Sequence, residues 1–160
     1  MLDVQIYSPI FFNEKFKSIQ YLIINMKFQV IYFTQTGNTK KVAEAIDSEL
    51  GVKAEDVNTA KLNPDGLILL GSGKYGNQPG KIMMEFIENN IFKSRNVALF
   101  GTSGSGKGLE VQEMEKALNA KEASIKGKFF CRGKFMLFNR GRPNEQDFTE
   151  VKMFAKQMMK

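Results

Sequence analysis

Residues 34–39 read Thr-Gln-Thr-Gly-Asn-Thr, so three hydroxyls and one short amide side chain fall within six positions and suit a phosphate. Gly37 permits a tight turn in which successive backbone N–H groups face one anion. The segment follows an apolar run, Val30-Ile31-Tyr32-Phe33, and opens a helical pattern over 40–50. A helix start adds unpaired amides and the positive end of its dipole. Strand, hydroxyl-rich turn and helix N-terminus together predict a phosphate cup. The plainer reading is a strand-to-helix loop with Asn38 or Thr39 as its N-cap. Two further loops rich in small and polar residues follow apolar runs: 71–77 (Gly-Ser-Gly-Lys-Tyr-Gly-Asn) and 101–106 (Gly-Thr-Ser-Gly-Ser-Gly). With Lys107, the second of these fills the first seven positions of a nucleotide-binding P-loop. The next residue is Gly108, where that loop needs Ser or Thr for Mg²⁺, and no later buried strand ends in an aspartate for the second metal contact.

Composition narrows the chemistry. The chain has no histidine, which removes a Ser-His-Asp triad, a Cys-His pair and most transition-metal sites. Its one cysteine, Cys131, excludes an internal disulfide and suits a reducing cytoplasm; without a resolving thiol it reads as core packing. No apolar run approaches the roughly 20 residues of a membrane helix, and the N-terminus lacks a signal-peptide layout. At 160 residues, 42% of them hydrophobic, one domain with a real core is expected. The +6 charge is localised: residues 27–120 hold 11 basic and 11 acidic side chains, and the excess lies in Lys121, Lys126, Lys128, Arg132, Lys134, Arg140 and Arg142 against Glu122. Such a patch attracts an acidic protein, a nucleic acid or an anionic cofactor, or simply protects a strand edge. The phenylalanines between these charges, Phe129, Phe130, Phe135 and Phe138, are expected to face the core.

The elements that would position these loops alternate. Strands are expected at 27–33, 52–57 (short, polar, near an edge), 66–70, 96–100 and 123–131. Helices are expected at 39–50, 81–90, through Val111, Met114 and Leu118, and over the C-terminal stretch with Phe148, Val151, Phe154, Ala155 and Met158 inward. Gly51 suits a C-cap, and Asn144 with Asp147 suits the start of the last helix. Regular patterning begins only after Met26, so residues 1–25 are expected to be an extension or a mis-assigned start, with the domain over 26–160. Five strands alternating with helices imply an α/β sheet covered on both faces. Ligands in such sheets sit beyond the strand carboxyl ends at a topological switch point.

The loop Thr-Gln-Thr-Gly-Asn-Thr directly after the first strand resembles the phosphate loop of the flavodoxin family. The stretches Val-Ala-Leu-Phe-Gly-Thr-Ser-Gly, Phe-Phe-Cys-Arg-Gly-Lys-Phe and Gly-Arg-Pro-Asn-Glu-Gln-Asp resemble a subgroup of flavodoxin-domain proteins. The resemblance covers most of 27–160. It implies a flavodoxin-like three-layer sandwich around a five-stranded parallel sheet in order 2-1-3-4-5, with FMN at the switch between strands one and three. It assigns Thr34, Gln35, Thr36, Gly37, Asn38 and Thr39 to the FMN phosphate. Ser72, Gly73, Lys74, Tyr75, Gly76 and Asn77 would border the isoalloxazine, with Tyr75 stacked on it. Thr102, Ser103, Gly104, Ser105 and Gly106 would meet the flavin's other edge. No catalytic side chain and no metal is implied, and a redox carrier is favoured over a substrate-specific oxidoreductase. The alternatives are a flavodoxin-fold binding module with a basic partner surface and a P-loop-type nucleotide-binding protein. The chain departs from the family pattern in lacking Trp, in lacking an aromatic in the third loop, and in being basic. A redox partner protein of acidic character is therefore expected, with no membrane association and nucleic acid disfavoured.

Overall fold

The computed structural model describes residues 13–20 and 27–160. Residues 13–20 form an exposed helical stretch; the boundary expected at 25/26 lies outside the described residues. Strands β1 (Phe28–Phe33), β2 (Glu55–Asp56), β3 (Leu67–Tyr75), β5 (Asn96–Ser103) and β6 (Ser124–Arg132) form a parallel sheet in the order β2-β1-β3-β5-β6. The short β4 (Gln78–Pro79) folds back antiparallel on β3. With that hairpin set aside, the order is the expected 2-1-3-4-5. Helices α1 (Asn38–Leu50), α2 (Lys81–Asn89), α3 (Leu109–Ala120) and α4 (Glu145–Met158) cover the two faces.

The apolar strands split by alternation. Phe28, Val30 and Tyr32 of β1, Leu69 of β3, and Ala98 and Phe100 of β5 pack with Val42, Ile46 and Leu50 of α1 and Val151 and Phe154 of α4. Their neighbours Ile31, Phe33, Ile68, Leu70, Val97 and Leu99 pack with Met83 and Ile87 of α2 and Val111, Met114 and Leu118 of α3. A strand buried on both faces must be apolar at every position, which is why these runs do not alternate in the sequence. Each such side chain contributes about 1.5–3 kcal/mol on burial. Phe100 packs against Gly71, where a Cβ would sit 2.0 Å from its ring.

Several boundaries differ from the sequence reading. The second strand shrinks to two residues, and Gln29, buried in β1, fastens this edge with side-chain bonds to Glu55 Oε1 (3.0 Å) and the Lys61 carbonyl (2.7 Å). Strands β3 and β5 run on into the segments read as loops, since the parallel register continues through Gly73↔Thr102. The Gly76-Asn77 turn then closes the β3–β4 hairpin, with Gly76 at φ 66 in the first central position. The cap of α1 is Gly37 (φ 88), not Asn38 or Thr39, and no side chain caps it. At the other end Gly51 (φ 69) donates to the Asp47 carbonyl at 2.8 Å, as expected. Asn144 and Asp147 form a reciprocal capping box on α4.

Beyond the sheet edge, the phenylalanines depart from expectation. On β6, the Lys126, Lys128, Phe130 and Arg132 positions are exposed, while Phe129 and Cys131 pack inward. β6 is an edge strand, and its outer face is only partly covered. The chain then leaves the sheet, so Phe135 and Phe138 do not reach the core and are 57% and 70% exposed.

Candidate functional site

The strand order reverses between β1 and β3, and the segments after β1, β3, β5 and β6 converge at the carboxyl edge there. Register sets this edge: Phe33 lies beside Ser72, Gly73 beside Thr102, and Ser103 beside Arg132. Four hydrogen bonds tie the segments together. The Gln35 amide donates to Tyr75 Oη (2.8 Å), and the hydroxyls of Thr39 and Thr102 meet at 2.8 Å in the interior. Asn38 Nδ2 donates to the Lys134 carbonyl (2.9 Å), and Asn139 Nδ2 to the Gly104 carbonyl (2.7 Å).

Between these segments lies a cleft of about 290 Å³, at the foot of the roughly 300–1,000 Å³ range of small-molecule sites. Gln35, Thr36 and Asn38 form one wall; Gly73, Lys74, Tyr75 and Gly76 form the second. Thr102, Ser103 and Gly104 form the third, and Lys134 and Phe135 close the fourth. A broader groove of about 500 Å³ lies between α1 and α4, lined by Lys41, Glu44, Glu145, Lys152 and their neighbours, and no strand end opens into it.

The remaining residues of the three loops support the walls. Thr34 Oγ1 accepts from the Gly37 amide (2.9 Å) and shapes the turn. Ser72 Oγ donates to the Gly73 carbonyl and accepts from the Gly80 amide, each at 2.9 Å, and is fully buried. Ser103 Oγ accepts from the Gly106 amide (3.0 Å). Asn77 and Ser105 are exposed at the rim. Gly101, Thr102 and Ser103 belong to β5, so half of the P-loop-like stretch is strand and not an anion-binding turn.

The first α1 amide to find an acceptor is that of Lys41, bonded to the Gly37 carbonyl at 3.1 Å. The amides of Asn38, Thr39 and Lys40 precede the helical ladder, and the first turn holds no acidic side chain. The third segment's missing aromatic is supplied from elsewhere. Phe135, 29 residues beyond Gly106 in the numbering, lies against Gly104, where a Cβ would be 3.1 Å from its own Cβ. Tyr75 folds back over Gly73, where a Cβ would be 2.7 Å from its hydroxyl, and meets Phe33 edge-on at 5.6 Å. Burial pushes the Tyr75 phenol pKa up, against the Gln35 amide and the Thr34 hydroxyl, which lower it. Phe135 and Lys134 were not among the residues assigned to the flavin; both close the stretch Phe-Phe-Cys-Arg-Gly-Lys-Phe that carries the resemblance, and Phe135 opens a four-residue apolar run, 135–138, between Gly133 and Gly141. Cys131 is buried and its thiol pushed up to about 12, first by burial and then by Asp147, so it stays a protonated packing residue.

The donor set fits a phosphate ester carrying a flat aromatic ring. Neutral amides and hydroxyls surround the helix start, two lysines supply positive charge, and two aromatic side chains stand beside glycines that leave room for close approach. Among the described residues, no helix is long and apolar enough to cross a membrane.

A family model described as a flavodoxin domain matches residues 29–141. An uncharacterised protein of Methanocaldococcus jannaschii is 33% identical over 138 residues, spanning 77% of this chain and 91% of that protein. The flavodoxin-like domain-containing protein BilS of Clostridioides difficile is 27% identical over 172 residues, spanning 84% of this chain and 97% of its own. Among solved structures, a flavodoxin from the domain Archaea matches with a TM-score of 0.68 at 19% identity, covering 83% of this chain and 96% of that one.

Proposed function

We propose that this chain, which belongs to the flavodoxin-domain family, holds FMN in the cleft between β1, β3 and β5 and serves as an electron-transfer protein. The observation that carries the reading is the uncapped, acid-free start of α1, opening beside two aromatic side chains in one cleft. FMN, when bound, supplies one- and two-electron transfer. The residues of the chain do the rest. Thr36 and the first amides of α1 would hold the phosphate. Tyr75 and Phe135 would flank the ring and shed water from it. Lys74 and Lys134 lower the energy of added negative charge in the cleft. Gly76, at φ 66 in the β3–β4 turn that lines the cleft, would give that wall a backbone freedom that only glycine has cheaply.

Titration of the protein with FMN, FAD and riboflavin, followed by visible absorption, tests the assignment. FMN should bind most tightly. Thr36→Ala should weaken FMN by roughly 10- to 100-fold, the worth of one charge-assisted bond of about 1.5–3 kcal/mol, and leave riboflavin nearly unchanged. Equal affinity for FMN and riboflavin would remove the phosphate cup. A protein that takes up none of the three would instead be a binding module.

A further inference from the structure

We infer that the hairpin at 135–138 is the docking surface for an acidic redox partner protein, its apolar tip entering a recess on the partner and the surrounding arginines meeting the partner's carboxylates. The inference rests on the FMN reading above and specifies the partner's chemistry. Phe135, Met136, Leu137 and Phe138 are 57%, 75%, 73% and 70% exposed, the most continuous run of large apolar side chains in solvent among the described residues. Isolated exposed apolar residues are ordinary; a contiguous group ringed by charge marks an interaction site.

The group is held out rigidly. The amides of Phe135 and Phe138 donate to each other's carbonyls at 3.1 and 2.8 Å, the Lys134 amide donates to the Arg142 carbonyl at 2.9 Å, and Asn139 pins the hairpin to Gly104. Met136 sits at φ 51, in the first central turn position that glycine takes in the β3–β4 hairpin. An L-residue is strained there, so the turn presents a side chain where its absence would be cheaper. A preordered tip loses little further freedom on docking.

Charge selects the partner. No Asp or Glu occurs from Ala123 to Asn144. Lys128 and Arg142 are neutralised by Glu115 and Asp147, whereas Arg132, Lys134 and Arg140 carry no ion pair among the described residues. A second copy would bring like charges together. Position favours a protein over a lipid surface: Phe135 both begins the tip and lines the cleft, so a partner seated on the tip abuts the cofactor's edge.

The test uses the full chain loaded with FMN and reduced by dithionite, with an acidic rubredoxin as the acceptor in stopped flow. A small neutral quinone reports intrinsic flavin reactivity. Met136→Gly with Leu137→Ser removes the tip while keeping a residue that suits the turn. This variant should retain the flavin spectrum and the quinone rate, and should raise the rubredoxin half-saturation at least fivefold. Arg132→Gln with Arg140→Gln should slow association at low salt and flatten its salt dependence. If the wild type takes up no FMN, the cofactor reading fails. If it takes up FMN and reduces quinone, the docking inference is overturned by any of three results. The first is rubredoxin that goes unreduced, or is reduced equally by wild type and tip variant. The second is binding to phosphatidylglycerol vesicles that the tip variant abolishes. The third is self-association that it abolishes.

Discussion

Glu110 stands out among single residues. It is fully buried, neither carboxylate oxygen has a hydrogen-bond partner, and it lies over Gly101, where a Cβ would meet Oε1 at 2.5 Å. Burial pushes its pKa up; its own backbone amide and the charge of Lys74 pull it back only in part. A carboxyl whose folded pKa exceeds its unfolded one holds its proton more tightly in the native state. Its stabilising contribution is therefore present below the ordinary carboxyl range and is lost as pH rises through the folded value. Glu110→Gln keeps the shape and removes the ionisation. Urea unfolding should show the variant gaining on the wild type as pH rises from the ordinary carboxyl range, about pH 4, to pH 8, by on the order of 1 kcal/mol for each unit of displacement. An identical difference at both pH values would mean that packing, not charge, sets the effect. Nothing in the local pattern marks this carboxyl: Glu110 lies in the first turn of α3, and the missing side chain at Gly101 lets it turn inward.

At the scale of elements, α4 and the hairpin before it depend on one small network. Asp147 accepts from the Asn144 amide (2.8 Å) and from Arg142 Nε and Nη2 (2.6 and 2.5 Å), while Asn144 Oδ1 accepts from the Asp147 amide (3.1 Å). Asn144→Ala should cost about 1 kcal/mol in chemical denaturation, the usual value of an N-cap. Asp147→Ala should cost more, because it strips the partly buried Arg142 guanidinium of its partner as well as opening the box. The reverse order would place the stabilisation in the cap alone. This network was legible because Asn and Asp three apart before an apolar face is a local pattern. So was Gly51, and so were the central strands, whose unbroken apolar runs admit few other readings. The extended β3 and β5 were not legible, because Gly, Ser and Thr read as loop residues until a neighbouring strand's register holds them. Phe130, Phe135 and Phe138 were assigned inward because an aromatic's type favours burial; that β6 is an edge strand, and that the chain turns away after Arg132, is tertiary information.

For the whole molecule, the cleft is built from four separate stretches of chain, so occupancy should be felt by the entire fold. A ligand present at 100 times its dissociation constant adds about 2.7 kcal/mol to stability. For a domain of this size that corresponds to a rise in melting temperature of roughly 10 °C. Circular-dichroism melts with FMN should show that rise, and riboflavin at the same concentration should give a clearly smaller one. No shift with FMN would separate the cleft from cofactor binding. The same convergence explains which part of the site escaped the sequence: three walls lie in segments rich in hydroxyl or glycine residues that announce themselves, and the fourth arrives from beyond the last strand.

Tyr75 stands in the cleft wall with its ring edge-on to Phe33 and its hydroxyl on the Gln35 amide. The chain has four tyrosines and no tryptophan, so its near-ultraviolet fluorescence is phenolic and one emitter in four sits where a ligand would enter. The molecule thus carries its own optical gauge of that cleft. Nothing brighter masks it, and Tyr75→Phe would switch off that channel while leaving the other three lit.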